Sequence, residues 1–485
     1  MRIAIVHYHL QPGGVTRIIQ NGVAALADKP VQTVVLTGKR PPSGFKGSWK
    51  VVEGLQYERD RPRVTATELY TQMVDAACDA LGGMPDVWHV HNHSLGKSTV
   101  LPNALIKLIK QGQSMLMQIH DFAEDGRPAN YRLMLNKMAG GNVSTLSAHL
   151  YPRATHVHYA LLNKRDYSFL TYAGGDSSCL HLLPNPVDLQ LQCSDIEETP
   201  QRDEYLWVYP TRGIRRKNIG EFLLWAAVAP EKHRFATTMG PDNPLERPRY
   251  DRWKAFALEQ GLPVEFEMGV RQGISFVDQL KQADALVTTS VAEGFGMAFL
   301  EPWLLGRPVT GRLLKEITHE FYLAGVKLPW GYRRVDVPVH WFGKDSLVEA
   351  GRKGLERSMA AYGRTPHLAD MERLLAAWIM DGKVDFGRLD ESFQERAIRR
   401  IVKNEGDNTE LEPPCLSLPE NYGNVVRENC ATLKQAYSLR EYGKTLFRLY
   451  QRVASSSVSS VDALDGDILL DHFLAPERLH LLRVD

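Results

Sequence analysis

Glu293-Gly-Phe-Gly-Met-Ala-Phe-Leu-Glu301-Pro-Trp-Leu-Leu-Gly306-Arg-Pro-Val309 sets two carboxylates around a glycine-framed turn that runs into apolar helical sequence. The preceding run, Asp284-Ala-Leu-Val-Thr-Thr-Ser290, reads as a buried strand. Gly294 and Gly296 therefore stand where the carboxyl end of a strand gives way to a helix N-terminus. Amides at such a place have no helical acceptors and favour anions or sugar hydroxyls. Glu301 falls among Phe299, Leu300, Trp303 and Leu304, and a carboxylate in that company needs a hydrogen-bonding partner, from another side chain or from a sugar diol. Pro302 is too deep for a helix that starts at Gly296, so a kink or a later start is expected.

Working outward, strand-like runs at 3–6, 34–36, 87–90, 115–119 and 180–183 alternate with helical patterns, the signature of an open parallel sheet with crossover helices. A second series follows at 206–209, 234–239, 264–268, 285–289 and 308–310. The expectation is an α/β protein of two Rossmann-like, doubly wound domains with ligands at the carboxyl ends of their strands. The boundaries read as an N-terminal domain over 1–193, an acidic linker over 194–205 and a second domain over 206–423, with a charged, helical insert at about 346–412 inside it. Amphipathic helices over 424–453 and a tail over 454–485 complete the chain.

Several loops at predicted strand ends carry chemistry. Tyr209-Pro-Thr-Arg212-Gly-Ile-Arg-Arg-Lys217-Asn218 crowds four cations into one loop; a solvated surface explains such a loop, and so does an anion site. Gln11-Pro-Gly13-Gly14 turns from the first strand into a helix but lacks the third glycine of a dinucleotide fingerprint, so a plain turn competes with a phosphate or acceptor contact. His89-Val-His91-Asn-His93 has the alternation of strand residues sharing a face, which fits zinc or hydrogen bonds in an acceptor cleft. Gln118-Ile-His120-Asp121 ends another strand, where a core-edge histidine and a substrate contact are both open readings. Asp465-Gly-Asp467 is a D-x-D pair, but it lies in the tail and reads as surface.

The spacing of Glu293 and Glu301, the Gly-Phe-Gly after the first and the trailing Gly-Arg-Pro-Val closely resemble the donor-site signature of retaining glycosyltransferases of the GT-B fold, family 4. The resemblance covers roughly the first two thirds of the chain and the closing helices. It implies that Arg212 and Lys217 clamp the donor diphosphate, that Glu301 binds the ribose, and that Glu293 with Gly294, Phe295 and Gly296 holds the transferred hexose and phosphate. It further implies that His120 lines the reaction centre and that Gly13 and Gly14 touch the donor phosphate or the acceptor. His120, Glu293, Arg212 and Lys217 are thus the catalytic set, with no resident cofactor and no metal. Front-face substitution, in which the departing phosphate takes the acceptor's proton, is the mechanism the family implies. UDP-glucose is the favoured donor, and a sugar, small metabolite or glycolipid hydroxyl the acceptor. Arg215 and Arg216 match no family position. Arg312-Leu-Leu-Lys-Glu316 departs from the glycine-containing segment common in the family and leaves the donor sugar open.

Composition narrows the alternatives. The 485 residues are 44% hydrophobic and 24% charged with a net charge of +1, which gives a nucleic-acid binder no support and allows peripheral membrane contact at most. Five scattered cysteines without a C-x-x-C pair read as reduced, cytoplasmic and without structural zinc. No signal peptide or membrane-spanning run is expected. A nucleotide-sugar-binding regulator without catalysis is one rival. A glycoside hydrolase using Glu293 and Glu301 is another, disfavoured because both carboxylates lie on one turn and its helix.

Overall fold

In the computed structural model, which describes residues 1–60, 62–187, 204–270, 275–404, 411, 416, 418 and 422–484, the chain forms two compact units. One comprises residues 1–186 and 437–474, the other 187–436 and 475–485. The expected linker lies outside the described residues except for 204 and 205, and Tyr205 already opens a strand.

The N-terminal unit is built on β1 (Arg2–His7), β2 (Gln32–Thr37), β3 (Trp49–Val51), β4 (Val87–His91), β5 (Met115–Ile119), the short β6 (Pro152–Arg153), β7 (Val157–Leu161) and β8 (Leu180–Leu182). Seven of them form a parallel sheet in the order β3-β2-β1-β4-β5-β7-β8. Every residue of β4, β5 and β7 is buried, because helices cover both faces. Helix α1 (Gly14–Ala25) packs against the helix Leu439–Ala454, where a side chain at Gly443 would run into the Ala25 carbonyl. The tail as far as Leu474 docks on this unit: Asp462–Ala463 pairs antiparallel with β6, and Phe473 of the helix Gly466–Phe473 lies 5.0 Å from both Phe122 and Phe169, ring to ring. Asp465 caps that helix through bonds from the Asp467 and Ile468 amides, which accounts for the D-x-D pair structurally.

The C-terminal unit has β9 (Tyr205–Tyr209), β10 (His233–Thr237), β11 (Val264–Glu265), β12 (Ala285–Thr288), β13 (Val309–Arg312) and β14 (Gly331–Tyr332) in the parallel order β11-β10-β9-β12-β13-β14. This is the doubly wound order, which reverses between β9 and β12 and leaves a crevice at their carboxyl ends. The charged insert is not purely helical. Its β16 (Ile379–Met380) and β17 (Lys383–Asp385) form a small antiparallel sheet with β15 (Asp336–Pro338), which precedes the insert, and Val337 of β15 shares one core with the insert's Val384, Phe386 and Phe393 and with Trp207, Phe222 and Trp225. Each such side chain contributes about 1.5 to 3 kcal/mol by leaving water, which fastens the insert to the parallel sheet.

Cys430 is disulfide-bonded, which corrects the expectation that all five thiols are reduced, whereas Cys78 and Cys179 are free. Cysteines scattered in sequence meet only through the fold, so spacing gave no sign of it. Among the described residues no helix is long and apolar enough to cross a membrane.

Candidate functional site

The turn at 293–296 and the loop at 210–218 follow β12 and β9, the two strands that flank the reversal of strand order. The topology therefore brings Lys217 to Glu293: Nζ donates to Oε1 at 2.5 Å. Arg216 reaches the other oxygen, Oε2, at 3.3 Å and donates to the Ala292 carbonyl at 2.6 Å. Backbone bonds lock the same junction. The Val291 amide donates to the Arg216 carbonyl, and the Tyr209 and Thr289 hydroxyls donate to the Lys217 carbonyl. Asn218 adopts φ 53°, a left-handed conformation Asn tolerates, and starts α7 (Ile219–Val228). Burial would raise the Glu293 pKa, but the charges of Lys217 and Arg216 outweigh it and hold the carboxyl below its usual value. Arg216, unmatched in the family pattern, is thus part of the cluster; a cation-rich loop reads as solvated surface until its carboxylate partner is placed beside it.

Gly296 sits at φ 93°, and a Cβ there would press within 2.8 Å of Ile317, so the turn requires glycine. Phe295 turns its ring inward, 5.5 Å from Phe321 in an edge-to-face contact, which leaves its backbone to line the loop. The helix starts late, as Pro302 demands: a 3-10 turn over Met297–Phe299 precedes α10 (Glu301–Leu304), with Glu301 half-buried in its first turn. Arg212 is not drawn into the cluster. It pairs with Asp242 at 2.9 Å, and both side chains are largely exposed.

In the N-terminal unit, Gly13 and Gly14 open α1, and a Cβ on Gly14 would meet nothing within 4 Å. His120 follows β5; its ring Nε2 lies 2.9 Å from His91 Nδ1, and its amide donates to the Asn92 side chain at 2.7 Å. Asp121 pairs with Arg127 at 2.7 Å. The three histidines of 89–93 do not converge on one point, although the rings of His89 and His91 lie 4.3 Å apart. His89 bonds Tyr450 and Gln118, His91 bonds His120, and His93 turns to the Leu150 carbonyl at 2.6 Å. Burial lowers all four imidazoles, His89 and His120 to about 3 and His93 to about 4, so they are neutral near pH 7. Among the described residues no group of three or more His, Cys, Asp or Glu side chains is arranged to hold a metal.

No protein-family profile matches the chain. Over 328 residues, 61% of the chain, it is 27% identical to mannosylglucosyl-3-phosphoglycerate synthase of Petrotoga mobilis, and the match spans 62% of that protein's length. Among solved structures, sucrose-phosphate synthase of Thermosynechococcus elongatus aligns with 93% of this chain and 99% of its own at TM-score 0.55 and 15% identity. HepE of Anabaena with UDP aligns with 93% and 100% at 0.54 and 13%. A glycosyltransferase from Rickettsia africae aligns with 94% and 99% at 0.54 and 10%. The fold is thus that of these proteins, the GT-B fold expected from the sequence.

Proposed function

We propose that the chain is a glycosyltransferase that moves a hexose from a nucleotide-diphosphate sugar to a hydroxyl acceptor, with retention and without a metal. The observation that carries the reading is the cluster of Lys217, Arg216 and Glu293 at the crevice of the C-terminal sheet, two cations against one carboxylate beside a glycine turn. That excess positive charge suits a diphosphate whose charge grows as the sugar–phosphate bond breaks. Arg212 joins it by leaving Asp242, a change that costs about 1 kcal/mol or less for so exposed a pair. Glu301 takes the ribose diol, and the backbone of Gly294, Phe295 and Gly296 meets the phosphate and hexose. Glu293 orients Lys217 and Arg216 and accepts from a sugar hydroxyl. His120, neutral and held by His91, offers a hydrogen bond as the sugar becomes cation-like. No side chain acts as a nucleophile; the departing phosphate takes the acceptor's proton.

UDP-glucose is the donor we propose, and the name of the Petrotoga relative makes a mannosyl donor the alternative to test. The cytoplasmic setting belongs to the proposal as well, with the disulfide at Cys430 set against it. The test is a screen of UDP- and GDP-linked glucose and mannose for release of free nucleotide diphosphate, with and without acceptors and with EDTA. Sugar transfer that survives the chelator and keeps the anomeric configuration is expected. Binding without transfer to any acceptor would favour the regulatory reading, and inversion would overturn the mechanism.

A further inference from the structure

The N-terminal sheet reverses its strand order between β1 and β4, so the loops after these strands converge at its carboxyl edge. Lys97 lies in the loop after β4 and His9 in the loop after β1. The ammonium of Lys97 stands 5.2 Å over the ring of Tyr57, whose hydroxyl is 2.8 Å from His9 Nε2. Its neighbours are differently placed. Lys39 pairs with Asp60 at 3.1 Å, Arg59 with the same carboxylate at 3.5 Å, and Arg127 with Asp121 at 2.7 Å. Lys97, half-buried, has no carboxylate within ion-pair distance and no hydrogen bond from its ammonium among the described residues. Among the described residues the edge thus holds Lys39, Arg59, Lys97, Arg127 and Lys137, which pairs with Glu58 at 3.2 Å, five cations against the three carboxylates Asp60, Asp121 and Glu58. Burial, and then repulsion from Arg127 and Arg59, lower the Lys97 pKa. A lysine held on an aromatic floor among like charges is a receptor for an anion.

We propose that Lys97, with Tyr57 and His9, forms a subsite for an anionic group, a phosphate or carboxylate, carried by the hydroxyl acceptor. The subsite rests on the reading of the chain as a transferase, because it assigns the anion to the acceptor rather than to the donor, whose charge is met in the C-terminal unit. An ammonium facing an oxyanion forms a charge-assisted bond, and the Tyr57 hydroxyl and His9 ring add neutral polar contacts. A polyol acid would be held by its charge here, while its hydroxyls remain free to react.

The test uses the full chain and three probes of one skeleton: glucose 6-phosphate, glucuronate and glucose. Ligand-observed NMR titration should give at least one of the two anions an affinity about tenfold or more above glucose. Lys97→Gln should erase that preference, Lys97→Arg should restore most of it, and Lys110→Gln, at the far end of α3 (Leu101–Lys110), should leave it intact. UDP titrated into the same proteins should bind all of them equally. Equal affinity for the three probes, or a preference that survives in Lys97→Gln, overturns the subsite. Loss of UDP binding by the unaltered chain would instead count against the donor site, and the two failures are read separately.

Discussion

In the C-terminal unit Arg312 lies between the carboxylates of Glu221 and Asp385, whereas Glu293 lies between the cations of Lys217 and Arg216. The two clusters are mirror images in charge, and their burial differs. Arg312, Glu221 and Asp385 have side chains 5% exposed or less, while Arg216 is 37% exposed and Lys217 17%. The closed cluster spends all its donors. Arg312 Nε bonds Glu221, its terminal nitrogens bond Glu221, Asp385 and the Arg333 carbonyl, and the Tyr332 hydroxyl and the Val335 amide donate as well to Glu221 and Asp385, on oxygens shared with Arg312. It ties β13, α7 and the insert's β17 together, so the departure at Arg312 reads as a fastening for the insert. The open cluster keeps a net positive charge at a strand end, where an anion can reach it. The same chemistry becomes a bolt when buried with every donor bonded, and a binding site when left partly wet with positive charge to spare. Asn218 joins them, following Lys217 in sequence and donating through its side chain to Glu221 at 2.8 Å.

The largest effect is therefore expected in the closed cluster. Arg312→Met leaves two buried carboxylates facing one another and should cost about 3 to 5 kcal/mol in urea unfolding. Burial would raise Asp385, but Arg312 overrides it and holds the carboxyl at about 2. A folded pKa below the unfolded value of about 4 contributes stability above pH 4 that is lost as pH falls through about 2. The gap between the parent and Arg312→Met should accordingly narrow between pH 4 and pH 2. A constant gap across that range would show that Arg312 acts by packing rather than by charge.

Legibility followed the same division. The apolar runs at β1, β4, β5 and β12 show in sequence because strands buried on both faces are nearly continuous in hydrophobic residues. β7 does not: Val157-His-Tyr-Ala-Leu161 looks half polar, yet His158 bonds His181 at 2.8 Å and the Tyr159 hydroxyl bonds the Pro152 carbonyl. The Glu293 to Glu301 segment was readable because its residues are close in sequence. Arg216 and Arg312 were not, since each meets carboxylates 70 or more positions away, and a charge reveals its role only with its partner. Arg212, legible by spacing, is found on Asp242 instead of beside Lys217.

A smaller loss of stability and a larger functional one are expected in the open cluster. Glu293→Gln keeps the shape and a hydrogen-bond acceptor, so unfolding should shift by about 1 kcal/mol. Lys217 and Arg216, released from the carboxylate, should bind UDP as tightly as before or more tightly, while sugar transfer falls on the order of a hundredfold. Calorimetry with UDP and a transfer assay on one preparation separate the two. Loss of UDP affinity in Glu293→Gln would mean that the carboxylate holds the cations in place structurally, and the distinction between the clusters would collapse.

The smallest effect on the fold is expected at Gly14, in the other unit. Gly296 is bound to glycine by its left-handed backbone and by Ile317, but Gly14 has neither constraint: its backbone is not left-handed, and a methyl group there would touch nothing within 4 Å. As the first residue of α1, alanine is favoured over glycine, so Gly14→Ala should change stability by about 1 kcal/mol or less, toward greater stability. The open space matters only if a ligand fills it. A donor phosphate or acceptor seated on the loop would meet the added methyl, and transfer should fall on the order of tenfold through misplacement of the reacting groups. A thermal melt and a transfer assay read both sides. A variant that is as stable as its parent and equally active would take Gly13 and Gly14 out of the site and leave the loop a plain turn.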